Sequence, residues 1–322
     1  MKEKLGIIGT ADIAYRRFLP ALMIDKEIEY IGVAVRDKKK GKKFLESYGG
    51  KVYEGYDEII HDKEITSMYI PLPPALHKYW GMMCLEEGIH VFMEKPLTVN
   101  LDETLGLVKR ARETQKVIFE NYAFLYHMQL RKIKEMIFAD QVLGDLRLIR
   151  INFSFPKRSS ADFRYNKKLG GGALLDCGGY TIRLAEVFLG KKICVDTAKL
   201  NYVTGCDVDL YGTATLQNEK GMVAQIAFGM DNGYKCELEI IGQNGWIRVP
   251  RIFTAPIDYV TEIFMNINNE EGKIVVGQDN QFLNAICKYK TLLINDECRS
   301  EIYDEIVWTA ELMENIRERG SR

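Results

Sequence analysis

Asp176, Tyr180 and Arg183 stand at i, i+4 and i+7 in a stretch of helical pattern, which sets a carboxylate, a phenol and a guanidinium on one helix face. Such a row can hold and move a proton beside a bound substrate. It reads equally as a solvated face in which Asp176 pairs with Arg183 and Tyr180 covers both. A second charged group, Glu94-Lys95-Pro96, directly follows the apolar run His90-Val91-Phe92-Met93. A charge at the carboxyl end of a buried parallel strand lies beside the crevice where open α/β sheets bind ligands. Glu120-Asn121 ends the next such run, and the segment from Tyr69 through Pro71, Leu72 and His77 ends the one before. Its prolines stiffen a loop and remove backbone donors, which suits a wall against a planar ring or a structural turn.

The third constellation is GIIGTADIA, Gly6 to Ala14, running into a helical pattern that reaches Leu22. In a phosphate-cradling turn one glycine permits the tight bend, a second lets backbone approach a pyrophosphate, and a small last residue allows helix-on-strand packing. Gly9 fits the first role, Ala11 and Ala14 stand at the other two, and Thr10, Asp12 and Ile13 complete the turn. Ala11 places a methyl where the fingerprint has hydrogen, so the motif is degenerate and an ordinary βα turn also fits. Arg36 follows the second apolar run, where its planar fork can meet a ribose 2′-phosphate, with Lys40 one turn on. Asp37 could instead accept the 2′-hydroxyl. The balance favours NADP, with NAD possible.

These groups need elements to hold them. Up to about residue 120, short apolar runs (Leu5 to Ile8, Tyr30 to Val35, Ser67 to Ile70, His90 to Met93, Val117 to Phe119) alternate with helical stretches such as Lys38 to Ser47 and Leu101 to Thr114. That alternation predicts βαβ units and a doubly wound parallel sheet. Beyond residue 145, Leu146 to Phe155, Asp196 to Val203, Asp209 to Gln217, Met222 to Gly229 and Cys236 to Ile241 read as strands of a mainly antiparallel sheet. Helices are expected over Ala173 to Leu189, with Leu174, Cys177, Thr181, Leu184 and Phe188 as its core stripe, and over Glu301 to Arg319. The expected architecture is a doubly wound domain over 1–121 followed by an α+β domain over 122–322. At about 150 residues per domain, 322 residues agree with two.

Composition sets the outer limits. Lys plus Arg (44) balances Asp plus Glu (45), so no global positive charge recruits nucleic acid. Apolar runs fall far short of the roughly 18 residues that span a bilayer. No long apolar region or cleavage site follows the N-terminus, so the protein reads as cytoplasmic. Seven scattered cysteines without a C-x-x-C pair, and four histidines without ligand spacing, predict neither a disulfide framework nor a metal site.

GIIGTADIA, PLPPALH, GIHVFMEKPL (Gly88 to Leu97) and LGGGALLDCGGY (Leu169 to Tyr180), in this order and spacing, resemble the Gfo/Idh/MocA oxidoreductases across essentially the whole chain. The resemblance implies an N-terminal Rossmann domain with a doubly wound parallel sheet, a C-terminal α+β domain with an open, predominantly antiparallel sheet, a tightly held nicotinamide cofactor, a catalytic or cofactor-contacting Lys95, and a cis bond before Pro96. Many relatives have histidine where Tyr180 stands; tyrosine there is similar to glucose-fructose oxidoreductase, dimeric dihydrodiol dehydrogenase and nucleotide-sugar ketoreductases. Arg183 departs from the acid of inositol dehydrogenases. The segment from Glu120 through Tyr126, His127 and Gln129 is most similar to the ketoreductases.

On that basis hydride passes between nicotinamide and a sugar carbonyl or hydroxyl. Tyr180 gives the proton, Lys95 supplies charge that favours the phenolate, and Asp176 positions hydroxyls or holds Lys95. Cofactor contacts are expected from Gly9 to Ile13, Arg36, Lys40, Pro71, Leu72, His77, Glu94, Lys95, Pro96 and Asn121. Substrate contacts are expected from Tyr126, His127, Arg164 and Arg183, the two arginines meeting an anionic part such as a nucleotide diphosphate or forming structural ion pairs. A catabolic dehydrogenase of a free sugar, polyol or dihydrodiol, and a non-catalytic dinucleotide-binding regulator, are the alternatives. The partners expected are a sugar or sugar-nucleotide substrate and further copies of the chain in a homodimer or homotetramer.

Overall fold

The computed structural model describes residues 2–321. The chain forms two compact units, one of residues 1–121 with 282–308 and the other of 122–281 with 309–322. A single division at 121/122 therefore misses the return of residues 282–308 to the first unit.

In the first unit six strands, β1 (Glu3–Ile8), β2 (Ile28–Val35), β3 (Lys51–Glu54), β4 (Ser67–Ile70), β5 (His90–Glu94) and β6 (Ile118–Asn121), form one sheet in the order β3-β2-β1-β4-β5-β6. Every neighbouring pair is parallel. The strand order reverses between β1 and β4, which makes the carboxyl ends of these strands the ligand crevice of the doubly wound sheet. β4 and β6 are buried throughout, as continuous apolar runs covered on both faces should be. The helix Leu101–Thr114 starts where Asn100 accepts the Glu103 N–H at 2.9 Å. Residues 282–308 join this unit through Tyr289, whose hydroxyl meets Ser67 at 2.7 Å, and Tyr303, whose hydroxyl donates to the Lys116 carbonyl at 2.6 Å.

The second unit is built on an eight-stranded sheet of β7 (Leu146–Ser154), β8 (Ile193–Tyr202), β9 (Asp209–Asn218), β10 (Val223–Gly229), β11 (Lys235–Gly242), β12 (Gly245–Val249), β13 (Thr261–Ile267) and β14 (Glu270–Gly277). Its order is β14-β13-β12-β11-β7-β10-β9-β8, antiparallel except for the β7/β10 pair. Alternate residues such as Ile149, Ile151 and Phe153, or Ala224, Ile226 and Phe228, are buried on one face. The other face carries polar pairs such as Arg150–Glu239, the division expected when only one side is covered.

Neither of the two motif-bearing helices is a plain α-helix. Ala14–Phe18 and Leu174–Gly178 are π-turns, each continuing into α-helix, Leu19–Leu22 and Gly179–Leu189. Among the described residues no helix is long and apolar enough to cross a membrane.

Candidate active site

The expected cofactor residues gather at one edge of the parallel sheet. After β1, Gly9 is buried with φ +92, and a Cβ there would lie 2.7 Å from the Leu72 Cδ2. Only glycine accepts that backbone beside so close a neighbour. Thr10, Ala11 and Ile13 are half-buried and Asp12 is exposed, paired with Arg16 at 3.2 Å. The Ala14 and Tyr15 N–H groups bond the Ala11 carbonyl at 3.1 and 3.3 Å. The N–H groups just before them are those a helix start leaves for an anion. Arg36 and Lys40 are both exposed after β2. Asp37 beside them caps the helix Lys38–Tyr48, its carboxylate accepting the Lys39 N–H at 3.0 Å.

At the ends of β4, β5 and β6 the polar groups interlock. Glu94 Oε1 accepts from the Tyr69 hydroxyl and from Asn121 Nδ2, each at 2.7 Å. Burial pushes the Glu94 carboxyl up, while Asn121, Tyr69 and the neighbouring Lys95 pull it down. Asn121 Oδ1 is buried with no hydrogen-bond partner among the described residues, an acceptor shaped for a donor from a ligand. Lys95 is half-buried, and the Lys95–Pro96 bond is cis. Glu120 Oε1 takes the Leu97 N–H at 2.6 Å and anchors the chain just beyond. The glycine cradle, the exposed cations and the orphan acceptor fit a phosphorylated dinucleotide.

His77 is placed differently from the expectation of a cofactor contact. It is 1% exposed, with Nε2 at 2.7 Å from the Leu72 carbonyl and Nδ1 at 2.9 and 3.2 Å from those of Pro96 and Leu97. The ring is a strut between the loops after β4 and β5 and so acts through their backbone.

In the second unit, Asp176 and Tyr180 sit at the head of the helix that follows the triple glycine. Gly172 has φ +126, and a Cβ there would press on the Asp209 carboxylate. Asp209, at the start of β9, is buried and accepts the Leu174 N–H at 2.7 Å, capping the helix from another strand. The Tyr180 ring lies among Tyr122, Phe124, Phe153 and Phe253, with centroids 4.9 to 5.7 Å away. These four rings come from three segments, Tyr122 and Phe124 from one, and fix the ring plane by edge and tilted contacts.

Arg183 is 8% exposed and pairs with Glu186 at 2.9 Å, and Glu186 in turn accepts from Thr309. The Gly179 N–H bonds the Leu174 carbonyl five residues back, so the π-turn absorbs an extra residue. Its phase shift of about 100° separates what a regular helix would align. Asp176 faces Arg164, with Arg164 Nε donating to Asp176 Oδ2 at 2.6 Å and Arg164 Nη1 to Asp162 Oδ1 at 3.1 Å. His127 is 1% exposed and caps the helix Met128–Lys134, its Nδ1 accepting the Gln129 N–H at 3.1 Å. Its Nε2 is buried with no hydrogen-bond partner among the described residues. Tyr126 beside it is half-buried. Sequence reasoning missed Tyr69, Asp162, Asp209 and the aromatic cage; only Asp162, two residues before Arg164 at a turn, carried a local signal.

A Rossmann sheet with a phosphate turn, together with an open-sheet unit carrying an acid and a phenol on one helix, defines a nicotinamide-dependent oxidoreductase. Residues 4–122 match the oxidoreductase family described as having an NAD-binding Rossmann fold, and residues 130–248 match the GFO/IDH/MocA C-terminal domain. The chain belongs to the GFO/IDH/MocA family. It is 34% identical, over 98% of its length and 94% of the relative's, to a dTDP-3,4-didehydro-2,6-dideoxy-α-D-glucose 3-reductase of Actinomadura kijaniata. It is 29% identical to a D-xylose 1-dehydrogenase (NADP(+)) of Haloferax volcanii, over 70% of this chain and 69% of that one. Among solved structures, KijD10, a 3-ketoreductase from Actinomadura kijaniata in complex with NADP and TDP-benzene, superposes with TM-score 0.95 at 33% identity over 99% of this chain and 98% of that one.

Proposed function

We propose that this chain is an NADPH-dependent ketoreductase acting on a nucleotide-linked sugar. What carries the reading is that a chain similar over 98% of its length to a reductase of a dTDP-linked keto sugar holds a phenol, Tyr180, caged at the head of a capped helix. NADPH, when bound, would supply the hydride needed at the carbonyl carbon. Tyr180 gives its phenolic proton to the carbonyl oxygen, neutralising charge that would be costly in a dry site. The aromatic cage holds the phenol in one orientation and excludes water, and Asp176 accepts a substrate hydroxyl. Lys95 holds a ribose or substrate hydroxyl with its ammonium, and Glu94 and Asn121 accept hydrogens beside it. The turn from Gly9 to Ile13 would hold the cofactor's pyrophosphate, Arg36 and Lys40 its 2′-phosphate, and Pro71, Leu72 and Pro96 its ring. Tyr126 serves the substrate side. The protein works in the cytoplasm as a homodimer or homotetramer, which light scattering measures.

The test is to follow absorbance of the reduced nicotinamide with the dTDP-linked 3-keto sugar, and to assay D-xylose and a dihydrodiol with NADP+. Consumption of NADPH with the nucleotide-linked ketone is expected. Turnover of the free sugar or diol alone would make the chain a catabolic dehydrogenase. NADPH binding without any turnover would make it a regulator.

A further inference from the structure

We infer that Arg164, braced by Asp162, is a positioning residue that fixes the Asp176 carboxylate as an acceptor for a substrate hydroxyl, and that it does not hold the substrate's phosphates. The inference rests on the ketoreductase reading for its substrate. A guanidinium offers N–H groups in one rigid plane. Arg164 spends Nε on Asp176 at 2.6 Å and Nη1 on Asp162 at 3.1 Å. Asp162 grips the same residue twice, because its Oδ1 also takes the Arg164 backbone N–H at 3.1 Å. The Phe163 ring lies 4.6 Å from the guanidinium carbon, so one face of the fork is covered as well.

The backbone carries the same cross-link. The Gly172 N–H bonds the Arg164 carbonyl at 3.0 Å, and the Asp176 N–H bonds the Gly172 carbonyl at 3.0 Å. Loop and helix are thus tied at two levels, and the carboxylate's direction follows from both. The Arg164, Asp162 and Asp176 side chains are 20%, 19% and 12% exposed. They are shielded enough to escape most screening, yet open enough for Asp176 to meet a ligand. Asp176 takes Nε and Asp162 takes Nη1, so each of the two edges by which a guanidinium grips a phosphate bidentately already has one donor engaged. A lone arginine held for phosphate would not be neutralised twice over. The placement suits a donor from the sugar, whose hydroxyls are neutral.

The experiment compares wild type with Arg164→Ala, Arg164→Lys and Asp162→Asn for kcat and KM, for dTDP affinity by calorimetry, and for rescue by methylguanidinium. In Arg164→Ala, kcat should fall on the order of 100-fold, the scale for a misdirected reacting group, with dTDP affinity unchanged and part of the rate restored by methylguanidinium. Arg164→Lys keeps the charge and loses the fork, so it should fall between, and Asp162→Asn should lose less. A crystal structure of Arg164→Ala should show the Asp176 carboxylate turned from its present direction. Loss of dTDP affinity with kcat retained, or an unmoved Asp176 in that structure, overturns the inference. Failure of wild type to reduce the nucleotide-linked ketone would refute the ketoreductase reading separately, while the crystal structure still decides the role of Arg164.

Discussion

Acidifying the protein should destabilise it through His77 in particular. Burial is the largest influence on that ring, and it disfavours the imidazolium. The three surrounding carbonyls oppose burial by welcoming a second proton, and Lys95 adds a further push downward. Burial wins, holding the ring at a pKa of about 4 against 6.5 for the free side chain. The folded-state value is depressed, so the unfolded chain binds the proton more tightly. The stability contributed by neutral His77 is therefore present above pH 6.5 and is lost as pH falls through the interval down to about 4. At about 1.4 kcal/mol per pH unit inside that interval, the loss between about pH 7 and pH 5 comes to ~2 kcal/mol. Urea unfolding at several pH values, on wild type and His77→Gln, isolates the effect, because other titrating groups cancel in the difference. Wild type should lose its advantage over the variant as pH falls. A difference that stays flat with pH, or a His77 resonance titrating at 6.5 or above, would refute the reasoning.

Three further outcomes are expected. Tyr180→Phe should lower turnover by about 100-fold or more, the usual worth of a positioned proton donor, while calorimetry finds NADPH affinity unchanged because the cage still holds the ring. Arg36→Ala should weaken NADPH by about tenfold, ~1.4 kcal/mol, and leave NADH binding as it was. Asp209→Ala removes the acceptor of the buried Leu174 N–H; a cost of about 1–3 kcal/mol is expected, read as a lower urea midpoint.

Much of the sheet and the parallel unit's edge is legible in the residues, because parallel strands are continuous apolar runs and their carboxyl ends are where ligands must sit. Ser67 to Ile70 and Leu101 to Thr114 are found where the pattern puts them. β3 escapes because an edge strand of four residues, Lys51–Glu54, has no fully buried position to mark it. β13 and β14 escape because one face of the pair mixes apolar with charged residues, Phe264 opposite Lys273 and Val275 opposite Glu262, which blurs the alternation. The return of residues 282–308 to the first unit rests on Tyr289 meeting Ser67 more than two hundred residues away, a pairing no local pattern encodes. Asp176 and Tyr180 were legible as chemistry, but Arg183 was misplaced with them, since spacing assumes a uniform helix and the π-turn breaks it. The partner that Asp176 does have, Arg164, lies across a loop, beyond the reach of periodicity.

A third π-turn, Glu135–Ala139, continues the helix Met128–Lys134; the two that head the motif-bearing helices tie local backbone to chemistry. Each follows a glycine in the left-handed region, Gly9 before Ala14–Phe18 and Gly172 before Leu174–Gly178. A glycine there reverses the chain sharply out of a loop or strand, and the first helical turn must then start from a direction the α-repeat does not supply. Widening one turn to five residues absorbs the mismatch and rotates everything upstream relative to the helix body. In the first unit the wide turn follows the N–H groups of residues 10–13, the kind a helix start offers to an anion. In the second it turns Asp176 toward Arg164 while Leu174, Cys177, Thr181 and Leu184 remain in the core. A substitution that forced regular α-helix through 174–178 would keep the apolar stripe only by moving Asp176 off its guanidinium. Core packing and the site therefore select the same wide turn, and the glycine, the buried Asp209 cap and the carboxylate belong to one structural unit.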